Sequence, residues 1–287
     1  MAGVRFARRG YTSIKLQALI SCKWLLVNAK VFGVNADWLL GGALAACIIA
    51  FYFTRNPVFS MAGFAAILLL FLFDAAPSKW DAKGVKSSLL ELVGAVALAA
   101  GAWFVLQFVL STAAPLDVVT SCSMLPVLER GDFIVVAGRE VAAPTVFVDG
   151  SVEAALQGAT LQKAACTLAL KGERLERACT TGVTVGGRFF AANSSNDVIV
   201  FDATPRAYGL VVHRAFLRVV NGTHEFFLTK GDNNLGLDQE AGIGLVPRAD
   251  VHGAVVMRAP LAGFLKLFLF MQFEEPEGCK ALVTGGN

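Results

Sequence analysis

The chain has 287 residues, 55% of them hydrophobic and only 16% charged, against about 25% charged in an ordinary soluble domain. That balance excludes disorder over most of the length, because a disordered chain needs low hydrophobicity and high charge. The net charge of +3 is not gathered into any lysine and arginine block, so no nucleic-acid partner is expected.

Residues 1–37 form a basic head carrying Arg5, Arg8, Arg9, Lys15, Lys23 and Lys30. Within it, residues 14–32 (IKLQALISCKWLLVNAKVF) bring their three lysines into one quadrant of a helix, which predicts an amphipathic helix lying on the cytoplasmic leaflet. A fourth span is the competing reading. Three uncharged runs follow, 38–53, 57–73 and 92–112, and are predicted as transmembrane helices, the first two short for a hydrocarbon core of about 30 Å. Only Thr54, Arg55 and Asn56 separate those two, so a tight helical hairpin is expected. A cleavable signal peptide fits less well, since three apolar runs follow a long head. Lysines and arginines concentrate in the head and in the 74–87 loop (Lys79, Lys83, Lys86). Both are therefore expected on the cytoplasmic side, and three spans carry everything after Thr112 across the membrane.

From 113 to 258 the texture changes to short β-rich segments (FIVVAG, VIVFDA, LVVHRAFLRVV, HEFFLTKG, VHGAVVMRA) between Gly, Asn and Asp turns. This predicts an antiparallel β domain, with residues 139–196 as an insertion inside it. Residues 259–287 form a closing segment whose apolar run, Leu261 to Phe270, is too short to span and is expected at the membrane interface.

The six cysteines show no metal-ligand spacing, so neither a metal nor a cofactor is expected. Cys166 and Cys179 flank a segment symmetric about Gly172 and Glu173. A two-residue hairpin loop with Gly first would pair Lys171 with Arg174 and set Cys166 opposite Cys179, which predicts a cross-strand disulfide. Two sequons, Asn193-Ser194-Ser195 and Asn221-Gly222-Thr223, permit glycosylation, although Asn-Gly is equally a hairpin dipeptide.

The three histidines, His213, His224 and His252, all fall in the β domain, which makes candidates for acid–base work few. His213 lies inside an apolar strand, where a histidine is more often structural. Ser123, in Ser121-Cys122-Ser123-Met124-Leu125-Pro126, follows the third apolar run by about ten residues, so even an extended chain keeps it within about 40 Å of the membrane exit. The loop Thr229 to Asp238 supplies two aspartates, Asp232 and Asp238. Either could orient His213 and stabilise its imidazolium, and both could equally be solvated turn residues.

Taken in order, TSCSMLPVLERGDFIVV, NDVIVF, VVHRAF, FFLTKGDNNLGLDQE and VPRADVHGAVVMRAPLAG resemble the boxes of type I signal peptidases over about residues 117–262, the insertion excepted. The likeness is to the archaeal and endoplasmic-reticulum branch, in which a histidine stands where the bacterial branch has a lysine; none of Lys163, Lys171 and Lys230 matches that place. The resemblance implies a membrane-anchored, mainly β protein, with N-terminal transmembrane helices followed by an antiparallel β catalytic domain of signal-peptidase type. It implies a serine endopeptidase with Ser123 as nucleophile, His213 as base, Asp238 as the acid and Asp232 as a second, site-organising carboxylate. Ser121 would help the Ser123 N–H receive the oxyanion. Implied partners are secretory preproteins with signal peptides, small at the first and third positions before the cut, together with the lipid bilayer and other secretion subunits. The implied location is a cell or endoplasmic-reticulum membrane, with the catalytic domain on the extracytoplasmic side.

The chain departs from the family in having three apolar runs where one is usual, and in carrying Cys122 where the family has glycine. A positive φ there would disfavour cysteine. Two other classes compete: a non-catalytic membrane-anchored β subunit of a secretion complex, and a transporter, for which the spans lack internal ionisable residues.

Overall fold

The computed structural model describes residues 30–31, 34–54, 56–74, 82–170, 172–270, 272 and 275–285. Most of the predicted 14–32 helix lies outside them; β1 (Lys30–Val31) and β2 (Val34–Asn35) pair antiparallel. The chain divides into two compact units, Met1–Val93 with Met271–Phe273, and Gly94–Phe270 with Glu274–Asn287.

In the first unit, α1 (Ala36–Thr54) and α2 (Pro57–Asp74) pack on each other as a hairpin. The short link works because Asn56 caps α2, its Oδ1 accepting from Val58 N at 3.0 Å. Phe51, Ser60 and Ala66 are buried, while Trp38, Ile49, Phe53, Val58 and Met61 are exposed. The third helix, α3 (Ala82–Leu110), crosses into the second unit. Its segment Val93–Leu110 is long and apolar enough to cross a membrane and has no buried face; Leu98, Phe104 and Phe108 are all exposed.

The second unit is mainly antiparallel β. Its principal sheet runs β12 (Val246–Pro247), β11 (His224–Lys230), β10 (Leu210–Asn221), β9 (Val198–Asp202), β13 (Val251–Ala259), β4 (Phe133–Ala137), β3 (Leu116–Val118). A further short strand, β5 (Thr145–Phe147), lies parallel to the second half of β10. Both faces of the sheet are covered: Ile134, Val136 and Val200 pack in one buried cluster, Phe201 and Phe227 in a second and Leu217 in a third, so that the neighbours Val200 and Phe201 on β9 are buried on opposite sides. The end of α3 is tied to this sheet, since Gly138 N donates to Leu110 O at 2.8 Å and Thr112 Oγ1 to His252 O at 2.7 Å. These bonds hold the start of the segment leading to Ser123 at the end of β4 and on β13, and the segment then pairs with β4 as β3.

An accessory sheet runs β14 (Ala281–Thr284), β6 (Thr160–Leu170), β7 (Glu173–Val185), β8 (Arg188–Ala191), with the short α4 (Val152–Gln157) before it. The stretch 139–196 therefore does two things: β5 returns to the principal sheet, and only 160–191 builds the second one, completed by the far end of the chain.

The β6–β7 register differs from the sequence expectation. Leu170 pairs with Glu173, so the turn falls before Glu173 and holds Gly172, at φ +88°. A glycine takes that left-handed conformation without steric cost, which moves the ladder by two positions from Leu170 to Lys163, where a bulge follows. Cys166 accordingly faces Arg177 and Cys179 faces Ala164; the two sulfurs are joined along the diagonal, with Cα atoms 5.8 Å apart. A similar displacement occurs in the β10–β11 hairpin, where Asn221 pairs with His224 and the loop is Gly222-Thr223.

After β13, α5 (Phe264–Leu269) packs Phe264, Leu267 and Phe268 into the domain and leaves Leu265, Leu269 and Phe270 exposed. Lys266 inside this run reaches Asp117 at 2.9 Å.

Candidate active site

Ser123 stands between two buried neighbours, Cys122 and Met124, so the loop is pinned on both sides while the serine itself stays half-buried. Met124 enters the core with Val119, Leu128, Ile134, Val136 and Val200. Cys122 has no positive φ. Its sulfur is bonded to Cys279, with Cα atoms 4.9 Å apart, and this pairing is what a cysteine supplies there. Four cysteines follow Thr112, and Cys122–Cys279 joins the two that the Cys166–Cys179 bridge leaves.

His213 comes from the first half of β10, paired with Ile199 on β9. Its Nε2 lies 2.8 Å from Ser123 Oγ across 90 residues of sequence, and its Nδ1 lies 2.6 Å from Asp238 Oδ2. A carboxylate has no proton to give, so Nδ1 carries the hydrogen and Nε2 presents its lone pair to the serine hydroxyl. Asp238 opens a short 3-10 helix, Asp238–Ala241, directly after the loop that leaves β11. Its Oδ2 accepts a second hydrogen bond, from Thr229 Oγ1 at 2.6 Å. All of His213, Asp238 and Thr229 are buried.

Asp232 has a different partner. Arg214 grips it with both ends of the guanidinium, Nε to Oδ1 at 2.8 Å and Nη2 to Oδ2 at 2.6 Å, and Nη1 also donates to Ser194 O at 2.7 Å and to Asn196 O. Neighbouring residues of a strand point to opposite faces. His213 thus takes Asp238 and Arg214 takes Asp232, and on β11 Thr229 and Lys230 divide in the same way. Lys230 lines the Arg214–Asp232 pocket with Asn196 and Phe216. Burial there lowers the pKa of its amine, an effect partly opposed by the charges of Asp232 and Asp238. The basic group within hydrogen-bond distance of Ser123 Oγ is thus the His213 imidazole.

Ser121 is exposed, its Oγ 3.2 Å from Ser123 Oγ. His252 contacts Asp202 at 3.0 Å, and His224 sits at the tip of the β10–β11 hairpin. Of the two sequons, Asn193 holds Ser195 N and Oγ in a local turn at 2.9 and 2.7 Å, and the Asn221 side chain donates to Gly150 O. Among the described residues, Cys122, Glu275 and Cys279 cluster as potential metal ligands, but both sulfurs are consumed by their disulfide.

Sequence reasoning missed Thr229, Arg214 and Asn233. Asn233 N donates to Ser123 O at 2.8 Å and its side chain to Cys122 O at 3.0 Å. Gly231 permits this approach, because a Cβ there would lie 2.7 Å from Ser123 O. Dense polar turns such as GDNN read equally as solvated loops, which hides Asn233, while Arg214 and Thr229 lie on β10 and β11, whose register has no local signal. Compared with models of protein families and with curated proteins, the sequence matches none.

Proposed function

We propose that this chain is a membrane-anchored serine endopeptidase of signal-peptidase type, which removes N-terminal signal peptides from secretory preproteins. The observation that carries the reading is the unbroken relay from Ser123 Oγ to His213 Nε2 at 2.8 Å and from His213 Nδ1 to Asp238 at 2.6 Å. Structural histidines do not need a hydroxyl on one nitrogen and a buried carboxylate on the other; a nucleophile that must lose a proton does.

In the proposed reaction, His213 takes the Ser123 proton as Oγ attacks the scissile carbonyl. Asp238 holds the tautomer and stabilises the imidazolium, with Thr229 fixing the same carboxylate oxygen, Oδ2, through a second hydrogen bond. The imidazolium then protonates the departing amine, leaving an acyl-enzyme that water, activated by the same ring, hydrolyses. The Ser123 N–H, with the Ser121 hydroxyl, receives the oxyanion, and loss of one such donor costs about 10² to 10³ in rate. An extended cleavage region can add to a sheet edge; β3, which leads directly into the Ser123 loop, is such an edge.

Two features support membrane attachment. The segment Val93–Leu110 has the length and polarity of a span, and α5 leaves Leu265, Leu269 and Phe270 exposed at the domain surface. The apolar helices α1 and α2 would add to the anchor.

The test is turnover of a fluorogenic signal-peptide substrate by detergent-purified wild type, Ser123→Ala, His213→Ala and Asp238→Asn. The reading requires turnover by wild type and its loss in each variant. A folded wild type that stays silent with lipid supplied would favour the non-catalytic subunit instead.

A further inference from the structure

The chain's far end reaches the nucleophile loop by two independent routes. Cys279 is bonded to Cys122, the residue immediately before Ser123. Two and four residues further on, β14 is held by Asn233, whose Nδ2 donates to Ala281 O at 2.9 Å and whose Oδ1 accepts from Val283 N at 2.7 Å. The same Nδ2 donates to Cys122 O at 3.0 Å, and the Asn233 backbone N donates to Ser123 O at 2.8 Å. Asn233 is buried, so these bonds have no competing solvent. β14 is in turn paired with β6 of the accessory sheet over Ala281 to Thr284.

Both carbonyls that flank the Ser123 N–H in the chain are therefore fixed, that of Cys122 by the Asn233 side chain and that of Ser123 by the Asn233 backbone. A peptide plane whose carbonyl is fixed has its N–H fixed too. The Cys122–Ser123 peptide is the one that supplies the Ser123 N–H. The Asn233 side chain is made for this: its amide donates to two carbonyls while its oxygen takes the β14 N–H, a set that no carboxylate or hydroxyl of that length reproduces.

The geometry points to Asn233 as a positioning residue, through which the C-terminal segment 279–283, covalently tied at Cys122, sets the direction of the Ser123 N–H for the oxyanion. The inference rests on the peptidase reading above. Its signature is a loss in kcat with KM preserved, because an oxyanion donor acts on the transition state and not on substrate binding.

The experiment measures kcat and KM for signal-peptide cleavage by full-length wild type, Asn233→Ala, the double variant Cys122→Ala/Cys279→Ala and the combined triple variant, with a thermal melt of each. Asn233→Ala is expected to lower kcat about 10- to 100-fold with KM within twofold. The triple variant should lose little more than the worse of its parents, since both routes act on one peptide. Should Asn233→Ala fail to fold, the near-isosteric Asn233→Asp is read in its place; it keeps the acceptor for Val283 and loses the donor to Cys122. Wild-type kcat in the folded Asn233 variant overturns the inference, as do equal losses in kcat and in folded fraction, or losses that multiply in the triple variant. An inactive wild type would instead overturn the peptidase reading, so the two failures are distinguishable.

Discussion

Asp232 and Asp238 lie six residues apart and both are buried, yet they face different partners, and replacing each by asparagine should separate structure from chemistry. In Asp232→Asn, the Arg214 guanidinium loses the carboxylate that it holds at 2.8 and 2.6 Å. Arg214 is only 8% exposed, so water does not replace the lost charge. The backbone carbonyls of Ser194 and Asn196 remain on Nη1, but neither carries a full negative charge. Breaking such a buried pair from one side costs about 3–5 kcal/mol. For a domain of this size each kcal/mol lowers Tm by roughly 2–4 °C, which gives a fall of about 6–20 °C. Circular dichroism melts in detergent, with initial cleavage rates taken well below the transition, make the comparison. Asp232→Asn should show the large fall in Tm with kcat per folded molecule within a few-fold of wild type. Asp238→Asn should show a loss in kcat of about 10⁴, the usual result of stranding the wrong histidine tautomer. An Asp232→Asn protein that melts like wild type but has lost its kcat would refute this division and make Asp232 part of the chemistry.

Thr229→Val removes one oxygen at nearly constant volume, and with it the 2.6 Å hydrogen bond to Asp238. A bond to a charged group contributes about 1.5–3 kcal/mol, so a Tm fall and a loss in kcat of roughly tenfold are expected; unchanged values for both would show that the bond is idle. Glu240 ties the accessory sheet to the helical turn that carries Asp238, accepting from Thr180 and Leu237 N and pairing with Lys163 at 2.7 Å. Burial pushes its carboxyl up, but the bonds from Lys163, Thr180 and Leu237 together outweigh burial and lower its pKa from the ordinary 4.5. A depressed folded-state pKa contributes stability that is present above 4.5 and lost as pH falls through the folded value. Denaturant titrations of wild type and Glu240→Gln should therefore differ at neutral pH and converge in acid, whereas a constant difference across that range would contradict the sign.

The strands of the principal sheet were legible because VIVF, LVVHRAFLRVV and HEFFLTK combine β-branched and aromatic residues with flanking turn formers. The accessory sheet was not, for two physical reasons. Its long hairpin mixes polar and apolar residues on both faces, so periodicity fixes neither its length nor its register, and the pairing of Leu170 with Glu173 around Gly172 displaced the expected ladder. Its edge strand, β14, comes from the end of the chain, and a pairing more than 100 residues distant leaves no local signature. At the site, the resemblance singled out Ser123, His213 and the two aspartates. It also assigned Asp238 as the acid and Asp232 as the second carboxylate; the physical reason for that division, strand alternation at 213 and 214, becomes readable only once the register of β10 and β11 is known. Cys122 was read as a backbone question because its neighbours in sequence say nothing of Cys279.

The most direct measurement is mass analysis of a secretory preprotein after incubation with liposome-reconstituted wild type and Ser123→Ala protein. The account predicts that wild type yields a single mature chain, cut after a small residue at the end of the signal peptide, and that Ser123→Ala leaves the preprotein intact. Processing by a folded Ser123→Ala protein at the wild-type rate would contradict it.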